Sequence, residues 1–152
     1  MGYTGRIVVA RSPEPLTALG DAEVLDESSY RGGWRAAQLS GDLSDALRRL
    51  VAETGAPAIT AFILDSDVAD VEASTPAGGY WHVHLHLKKA AEYGAPDLGQ
   101  TTAEVTEQAL AWAAEAGLTA DGEAVRTALE ATNVLAEETF DELLTALGLE
   151  PA

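Results

Sequence analysis

The sequence predicts an α+β fold, in which an antiparallel sheet of about five strands is followed by three C-terminal helices. Two observations support this. Short β-branched and apolar runs alternate with helical patterns over the first 67 residues, and alanine-rich segments with helical spacing begin at Thr101. We expect residues 1–152 to form one domain, with a sheet portion over residues 1–90 and a helical portion over residues 101–149.

The N-terminal part of the chain has the signals of a strand, a short helix and a hairpin. Residues 6–11 (RIVVAR) are a β-branched run, and the Ser-Pro pair that follows is typical of a helix start, here a helix reaching about residue 19. Residues 23–28 and 34–39 flank the sequence YRGG. Two glycines between extended segments indicate a turn, because both can adopt positive φ.

A helix and a buried strand follow this hairpin. Asp42 is the expected N-cap of a helix whose apolar residues recur at helical spacing until Gly55. Residues 58–64 (AITAFIL) are apolar almost without alternation, as in a central strand covered on both faces. The order of elements is that of ferredoxin-like βαββαβ folds, in which this fourth strand would lie at a sheet edge. We therefore expect one added hairpin strand to pair with it.

That added strand is residues 80–87, which hold every histidine of the chain. The preceding loop, STPAGG, favours an antiparallel hairpin. Strand alternation places His82, His84 and His86 on one face and the neighbouring apolar side chains on the other. The plainest interpretation of these histidines is a polar strand face without a chemical role.

The C-terminal part predicts three helices with narrow apolar stripes. Thr101 and Glu104 have the spacing of a capping box, a second helix is expected over residues 121–131, and a third ends before Gly148. The stripes need a partner surface, which is either the sheet or a second copy of the chain, so a homodimer is compatible with the sequence.

Composition excludes several classes of function. The net charge of −16 argues against nucleic acid and anionic membranes as partners. The chain has no cysteine, so a metal site would need nitrogen and oxygen ligands. We see no signal-type or membrane-spanning apolar run, which predicts a cytoplasmic protein. Seven arginines against two lysines, with abundant alanine, are typical of a GC-rich genome and indicate a bacterial source.

The histidine strand supports a metal-site hypothesis, with a divalent ion such as zinc as the cofactor. Imidazoles at i and i+2 start roughly 6.6 Å apart on one strand face and can meet at one ion. If residues 73 and 80 pair, Asp67 stands opposite His86, which favours His84 with His86. A shift of one residue places Asp70 opposite His82 and favours His82 with His84. All three histidines cannot share one ion, because the outer two are roughly 13 Å apart.

Two protein families share features with this stretch. The pair HVH resembles the paired ligands of cupin strands, although Lys88 and Lys89 stand where a glutamate is expected. The longer run HVHLHL resembles the His-φ-His-φ-His-φ-φ signature of histidine-triad nucleotide hydrolases and transferases, with Lys88 replacing the last apolar residue. The histidine-triad resemblance implies that His84 is the nucleophile on an α-phosphate and that His82 is its hydrogen-bonding partner.

The hairpin turn offers a second ligand-binding hypothesis. Arg31, Trp34 and Arg35 present planar faces that suit a small anion or an aromatic ring, although a plain turn with flanking arginines is the simpler interpretation. The chain has no Walker A, GxGxxG, GxSxG or HExxH motif. We therefore expect an acidic protein that binds a small molecule or a protein partner through the sheet face and the helical segment. A metal-dependent or histidine-triad-like enzyme is the alternative.

Overall fold

The computed structural model describes residues 2–152 and contains, within them, six strands and five α-helices. The strands are β1 (Gly5–Arg11), β2 (Val24–Tyr30), β3 (Trp34–Leu39), β4 (Ala58–Leu64), β5 (Val68–Ser74) and β6 (Tyr80–Leu85). The helices are α1 (Ala46–Thr54), α2 (Leu87–Glu92), α3 (Thr102–Glu115), α4 (Gly122–Glu130) and α5 (Ala136–Ala146), together with a 3-10 turn at Thr17–Leu19. The fold is therefore α+β, as the sequence predicts.

All six strands form one antiparallel sheet in the order β2-β3-β1-β4-β5-β6. The prediction that β4 is central is confirmed, because it pairs with β1 and β5. The expected count of about five strands is too low, since residues 68–74 form β5. The histidine strand β6 consequently pairs with β5 and not with β4. The ferredoxin-like succession stays a prediction.

The turn that creates β5 contains no glycine or proline, which is why the sequence signals miss it. Asp65 and Ser66 both adopt positive φ, at 52° and 56°, and the N–H of Asp67 donates to the carbonyl of Leu64 at 2.9 Å. Two consecutive residues with positive φ make the tight hairpin turn whose twist matches that of the strands. Asp70 within the strand also lowers its β-propensity.

Helices α3 and α5 pack on one face of the sheet, and α4 packs against both of these helices. Buried side chains of α3 and α5, including Trp112 and Phe140, join the same apolar cluster as Trp34, Ile59 and Val71 of the sheet. The predicted capping box is confirmed, since Thr101 and Glu104 exchange side-chain and backbone hydrogen bonds. Among the helices of residues 2–152, none has the length and apolar character needed to cross a membrane.

The opposite face of the sheet is only partly covered. Helix α1 packs beside the 3-10 turn and over β1, β4 and β5. Val8 and Leu39 of the sheet and Leu50 of α1 are buried in the apolar cluster on this side. Beyond α1, partly exposed or polar side chains continue across β4, β5 and β6. We call this region the open sheet face, and it consists of Phe62, Asp70, Glu72, Tyr80, His82 and His84.

Two helix predictions require correction at their start. The short helix after β1 is limited to Thr17–Leu19, because Pro15 disfavours helical geometry at the residue before it. Helix α1 begins at Ala46 rather than after Asp42. The Asp42 carboxylate accepts a hydrogen bond from the N–H of Leu43 and pairs with Arg6 instead.

The histidine strand ends earlier than its alternating pattern predicts. Strand β6 stops at Leu85, His86 adopts a left-handed conformation with φ 60° and ψ 58°, and Leu87–Glu92 forms α2. The prediction that His86 shares a face with the other two histidines is therefore wrong. The reversal at His86 places its side chain on a different side of the strand end.

Candidate metal centre

Asp70, His82 and His84 form a cluster on the open sheet face. Each offers one donor atom, and the three donor atoms all lie within 4.8 Å of one another. Asp70 lies directly opposite His84 in the β5–β6 pairing, and His82 lies opposite Glu72. Since side chains alternate along each strand, Asp70, Glu72 and both histidines project to the same face.

The strand register differs from both registers that the sequence suggests. Ser74 pairs with Tyr80, whereas the predictions paired Tyr80 with Ala73 or with Glu72. Neither His86 with Asp67 nor His82 with Asp70 is a directly opposed pair. The loop after β5 adopts a tight conformation in which the N–H of Thr75 donates to the carbonyl of Gly79 at 2.9 Å, and this hydrogen bond sets the register.

The two imidazoles approach different oxygens of the Asp70 carboxylate. The Nε2 atom of His82 is hydrogen bonded to Oδ1, and the Nε2 atom of His84 lies 4.0 Å from Oδ2. The imidazole centroids are 5.2 Å apart and the ring planes meet at 82°. His84 is only 6% exposed, while the side chains of His82 and Asp70 are 27% and 42% exposed. Solvent therefore reaches the cluster from the side of His82.

The two histidines have opposite pKa shifts because their surroundings differ. The hydrogen bond to Asp70 raises the pKa of His82, against the effect of burial. Burial lowers the pKa of His84 despite the nearby Asp70 charge, and positive charge on His82 lowers it further. Burial opposes ionisation of Asp70, but its hydrogen bond from His82 and the charges of both histidines lower the pKa below its ordinary value. The cluster thus contains one carboxylate, one readily protonated imidazole and one imidazole that favours its neutral form.

These shifts predict a pH-dependent stability in the metal-free protein. Stability from the raised pKa of His82 is fully present below the unfolded value of 6.5 and is lost as pH rises through the folded pKa. Stability from the lowered pKa of Asp70 is present above 3.8 and is lost as pH falls through its folded pKa. We expect His82→Gln to lower the free energy of unfolding most between these two values. Urea denaturation of chelator-treated protein at about pH 5 and about pH 9 measures this difference, and an equal loss at both would contradict it.

His86 is held in the core, away from the cluster. Its Nδ1 donates to the carbonyl of Asp67 at 2.8 Å, and its Nε2 accepts from the hydroxyl of Thr139 at 2.8 Å. The carbonyl of Asp67 can only accept, so a neutral imidazole carries its proton on Nδ1 and accepts at Nε2. The hydroxyl of Thr139 also accepts from the amide of Asn133 at 3.0 Å. Both ring nitrogens of His86 are occupied, so this histidine has no free donor atom for an ion.

Asp67 also lies outside the cluster. Its carboxylate accepts a hydrogen bond from the Tyr93 hydroxyl at 2.8 Å, and its carbonyl accepts from His86. The structure thus brings together three of the five residues predicted as metal ligands, namely Asp70, His82 and His84. It places His86 and Asp67 in a neighbouring network that holds the ends of β5 and β6 together.

The other predicted ligand residues are separated by the sheet. Trp34 is 2% exposed on the helical face, where its ring centroid lies 6.0 Å from that of Trp112. Arg35 projects to the opposite face and donates to the carbonyls of Ser12 and Pro13 at 3.0 and 3.1 Å. Arg31 pairs with Glu150 near the C-terminus. Arg31, Trp34 and Arg35 therefore do not form one ligand site.

A groove beside the cluster contains residues that the sequence analysis missed. It has a volume of about 630 Å³ and lies between α1 and the open sheet face, with Arg6, Glu72 and Tyr80 among its lining residues. Asp70, Glu72 and Ser74 occupy every second position, which places Glu72 on the same face as Asp70 if the segment is a strand. The sequence analysis missed Glu72 because it did not assign residues 68–74 to a strand.

The histidine-triad resemblance can be compared with this geometry. His84, the implied nucleophile, is nearly buried, and its Nε2 faces the Asp70 carboxylate. His86 leaves the common face at the strand end.

Comparisons with protein families, curated proteins and solved structures find no match to this chain.

Proposed function

We propose that this protein binds a divalent transition-metal ion, with zinc as the best fit, through Asp70, His82 and His84. The observation that carries this proposal is the convergence of three donor atoms within 4.8 Å on an open surface. The open sheet face around the ion is then the surface for a small ligand. The apolar stripes of α3 and α5 are engaged in the core, so we assign ligand binding to the sheet face without them.

The donor set suits zinc by chemistry and by dimension. Two imidazole nitrogens and one carboxylate oxygen form a common zinc ligand set, and metal–ligand bonds of about 2 Å place donors roughly 3.4 Å apart in a tetrahedral site. No separation exceeds 4.8 Å, so side-chain movements of about 1 Å bring the three donor atoms to this spacing. Three protein ligands leave a fourth position for an exchangeable ligand, which distinguishes a binding or catalytic site from a closed structural one.

The chain segment over residues 97–101 packs beside β6, the strand that carries His82 and His84. The side-chain amide of Gln100 donates to the carbonyl of His82 at the outer edge of β6. Segment 97–101 and Leu87 enclose a small cavity of about 70 Å³ beside His84. This cover limits the motion of His84, and a ligand held in place loses less conformational freedom when an ion binds.

The metal proposal predicts that substitution of any one of the three ligands lowers zinc affinity. Chelator-treated protein is titrated with zinc in competition with a chromophoric chelator, and the same is done for Asp70→Asn, His82→Asn and His84→Asn. Removing a residue that only hydrogen-bonds to a metal ligand lowers metal affinity about 10- to 100-fold. Removing a ligand itself should cost no less, so we expect each of these substitutions to lower zinc affinity by at least about tenfold.

The matched control is His86→Asn, since asparagine tolerates the left-handed backbone of that position. We expect this variant to keep zinc affinity within about threefold of the parent, because both ring nitrogens of His86 are used inside the core. A loss at His86 as large as at His84 would contradict the assigned ligand set. A parent protein without micromolar zinc binding would show that the cluster is only a polar strand face.

A further inference from the structure

The groove between α1 and the open sheet face has one apolar wall. Leu47 and Val51 of α1 and Leu43, just before the helix, line it as half-buried side chains, and the exposed Ala52 also lines it. The facing wall is polar and includes Glu72 and Tyr80 of the sheet. Half-buried leucine and valine side chains along an open groove are a surface that favours contact with an aliphatic group.

The groove meets the proposed metal centre at its sheet-side wall. Glu72 lies directly opposite His82 in the strand pairing, and the ring centroid of Tyr80 lies 6.4 Å from that of His82. His82 is also the more exposed of the two histidine ligands. A molecule in the groove can therefore place one end at the ion and the other along α1.

Charges in the groove select against ionic ligands. The arginines are paired, with the Nε of Arg6 2.5 Å from the Asp42 carboxylate and the Nη2 of Arg48 2.9 Å from the Asp45 carboxylate. Within residues 2–152 Glu72 has no cationic partner, and its carboxylate accepts the Tyr80 hydroxyl at 2.7 Å. This carboxylate and the net charge of −16 repel anions, while a bound divalent ion repels cations.

We infer that the groove binds neutral acyl compounds, whose carbonyl oxygen completes the coordination of the metal and whose short aliphatic chain lies along Leu43, Leu47 and Val51. This inference rests on the proposed metal site. An oxygen donor suits the fourth position of a zinc ion held by two imidazoles and a carboxylate. The wall of α1 then supplies the apolar contact that distinguishes long from short chains.

Alkyl hydroxamic acids are suitable probes because they reach the groove as neutral acyl compounds. They bind a divalent ion through the carbonyl oxygen and the N-hydroxyl oxygen, and the hydroxyl proton is released to the buffer. Protein loaded with cobalt(II) in place of zinc is titrated with acetohydroxamic acid and with hexanohydroxamic acid, and the visible spectrum of cobalt reports binding. A fully buried methylene contributes about fourfold in affinity. Because the groove is open, we expect the longer chain to bind at least about tenfold more tightly in total. The metal-free protein should bind neither compound.

Two exposed alanines provide a matched pair of variants that leaves the core unchanged. Ala52→Arg fills the groove, whereas Ala114→Arg makes the same change on α3, at the other face of the sheet. We expect Ala52→Arg to remove the preference for the longer chain while acetohydroxamic acid binds as before. Ala114→Arg should behave like the parent protein.

The outcomes separate this inference from the metal proposal. Cobalt binding with equal affinity for both hydroxamic acids, or with a chain-length preference that survives in Ala52→Arg, overturns the acyl-groove inference and leaves the metal site standing. Failure of the parent protein to bind cobalt or zinc overturns both.

Discussion

Replacing Trp112 by alanine is expected to lower the free energy of unfolding by about 3–5 kcal/mol, a large share of the stability of a domain of this size. Trp112 is 2% exposed at the centre of the contact between α3 and the sheet. Its ring packs against Trp34, and its Nε1 donates to the carbonyl of Ser74 at 3.0 Å. The substitution leaves a cavity and also removes the hydrogen bond that ties α3 to the end of β5.

Trp112→Phe separates the two contributions. Phenylalanine retains much of the apolar volume but cannot donate, so we expect a smaller loss that includes about 0.5–1.5 kcal/mol for the lost hydrogen bond to the carbonyl of Ser74. Gln108→Ala, at an exposed position of the same helix, should change stability by less than about 0.5 kcal/mol. Guanidinium denaturation measures all three variants. If Trp112→Ala unfolds at the same denaturant concentration as the parent, α3 does not depend on this contact.

His86→Ala is expected to cost about 2–4 kcal/mol in unfolding free energy, which is the second largest effect we predict. The change leaves the fully buried Thr139 hydroxyl and the carbonyl of Asp67 without their imidazole partner. It also leaves a void where β6 turns into α2. Because His86 does not belong to the metal cluster, the remaining folded protein should still bind zinc.

A double-mutant cycle with Thr139→Val tests whether the buried network acts as a unit. Either single change leaves an unpaired polar atom, whereas the double change removes both members of the hydrogen bond. We therefore expect the two costs to be non-additive, with a coupling energy of about 1 kcal/mol or more. Strictly additive costs, measured by urea denaturation, would mean that the His86–Thr139 hydrogen bond does not contribute to stability.

Features with a local cause could be predicted from the sequence. Strand β4 (Ala58–Leu64) has the predicted bounds, because an unbroken apolar run is stable only where both faces are covered. The capping box at Thr101 and the glycine turn between β2 and β3 follow from backbone groups and conformations within a few residues. The absence of cysteine likewise limited any metal ligands to nitrogen and oxygen donors.

The candidate site could be predicted only as a set of alternatives. Alternation identified His82 and His84 as neighbours on one face, and the two considered registers offered Asp67 or Asp70 as the acid. The structure has a third register, in which Asp70 lies opposite His84. Register depends on the conformation of the loop over residues 75–79, and many such conformations are compatible with the same loop sequence.

The sequence by itself determined three features of this protein. These are the chemical identity of the donor atoms, the helices and strands that have strong capping, turn or hydrophobic patterns, and the acidic surface that disfavours anions. Tertiary structure decided which donors converge and which histidine is withdrawn from them. His86 turns into the core because Thr139, 53 positions away in the chain, supplies its hydrogen bond. The groove beside Glu72 exists because α1 covers only part of the sheet face. Contacts between distant segments decide these features, and neither the hydrophobic periodicity nor the capping signals of a single segment carry that information.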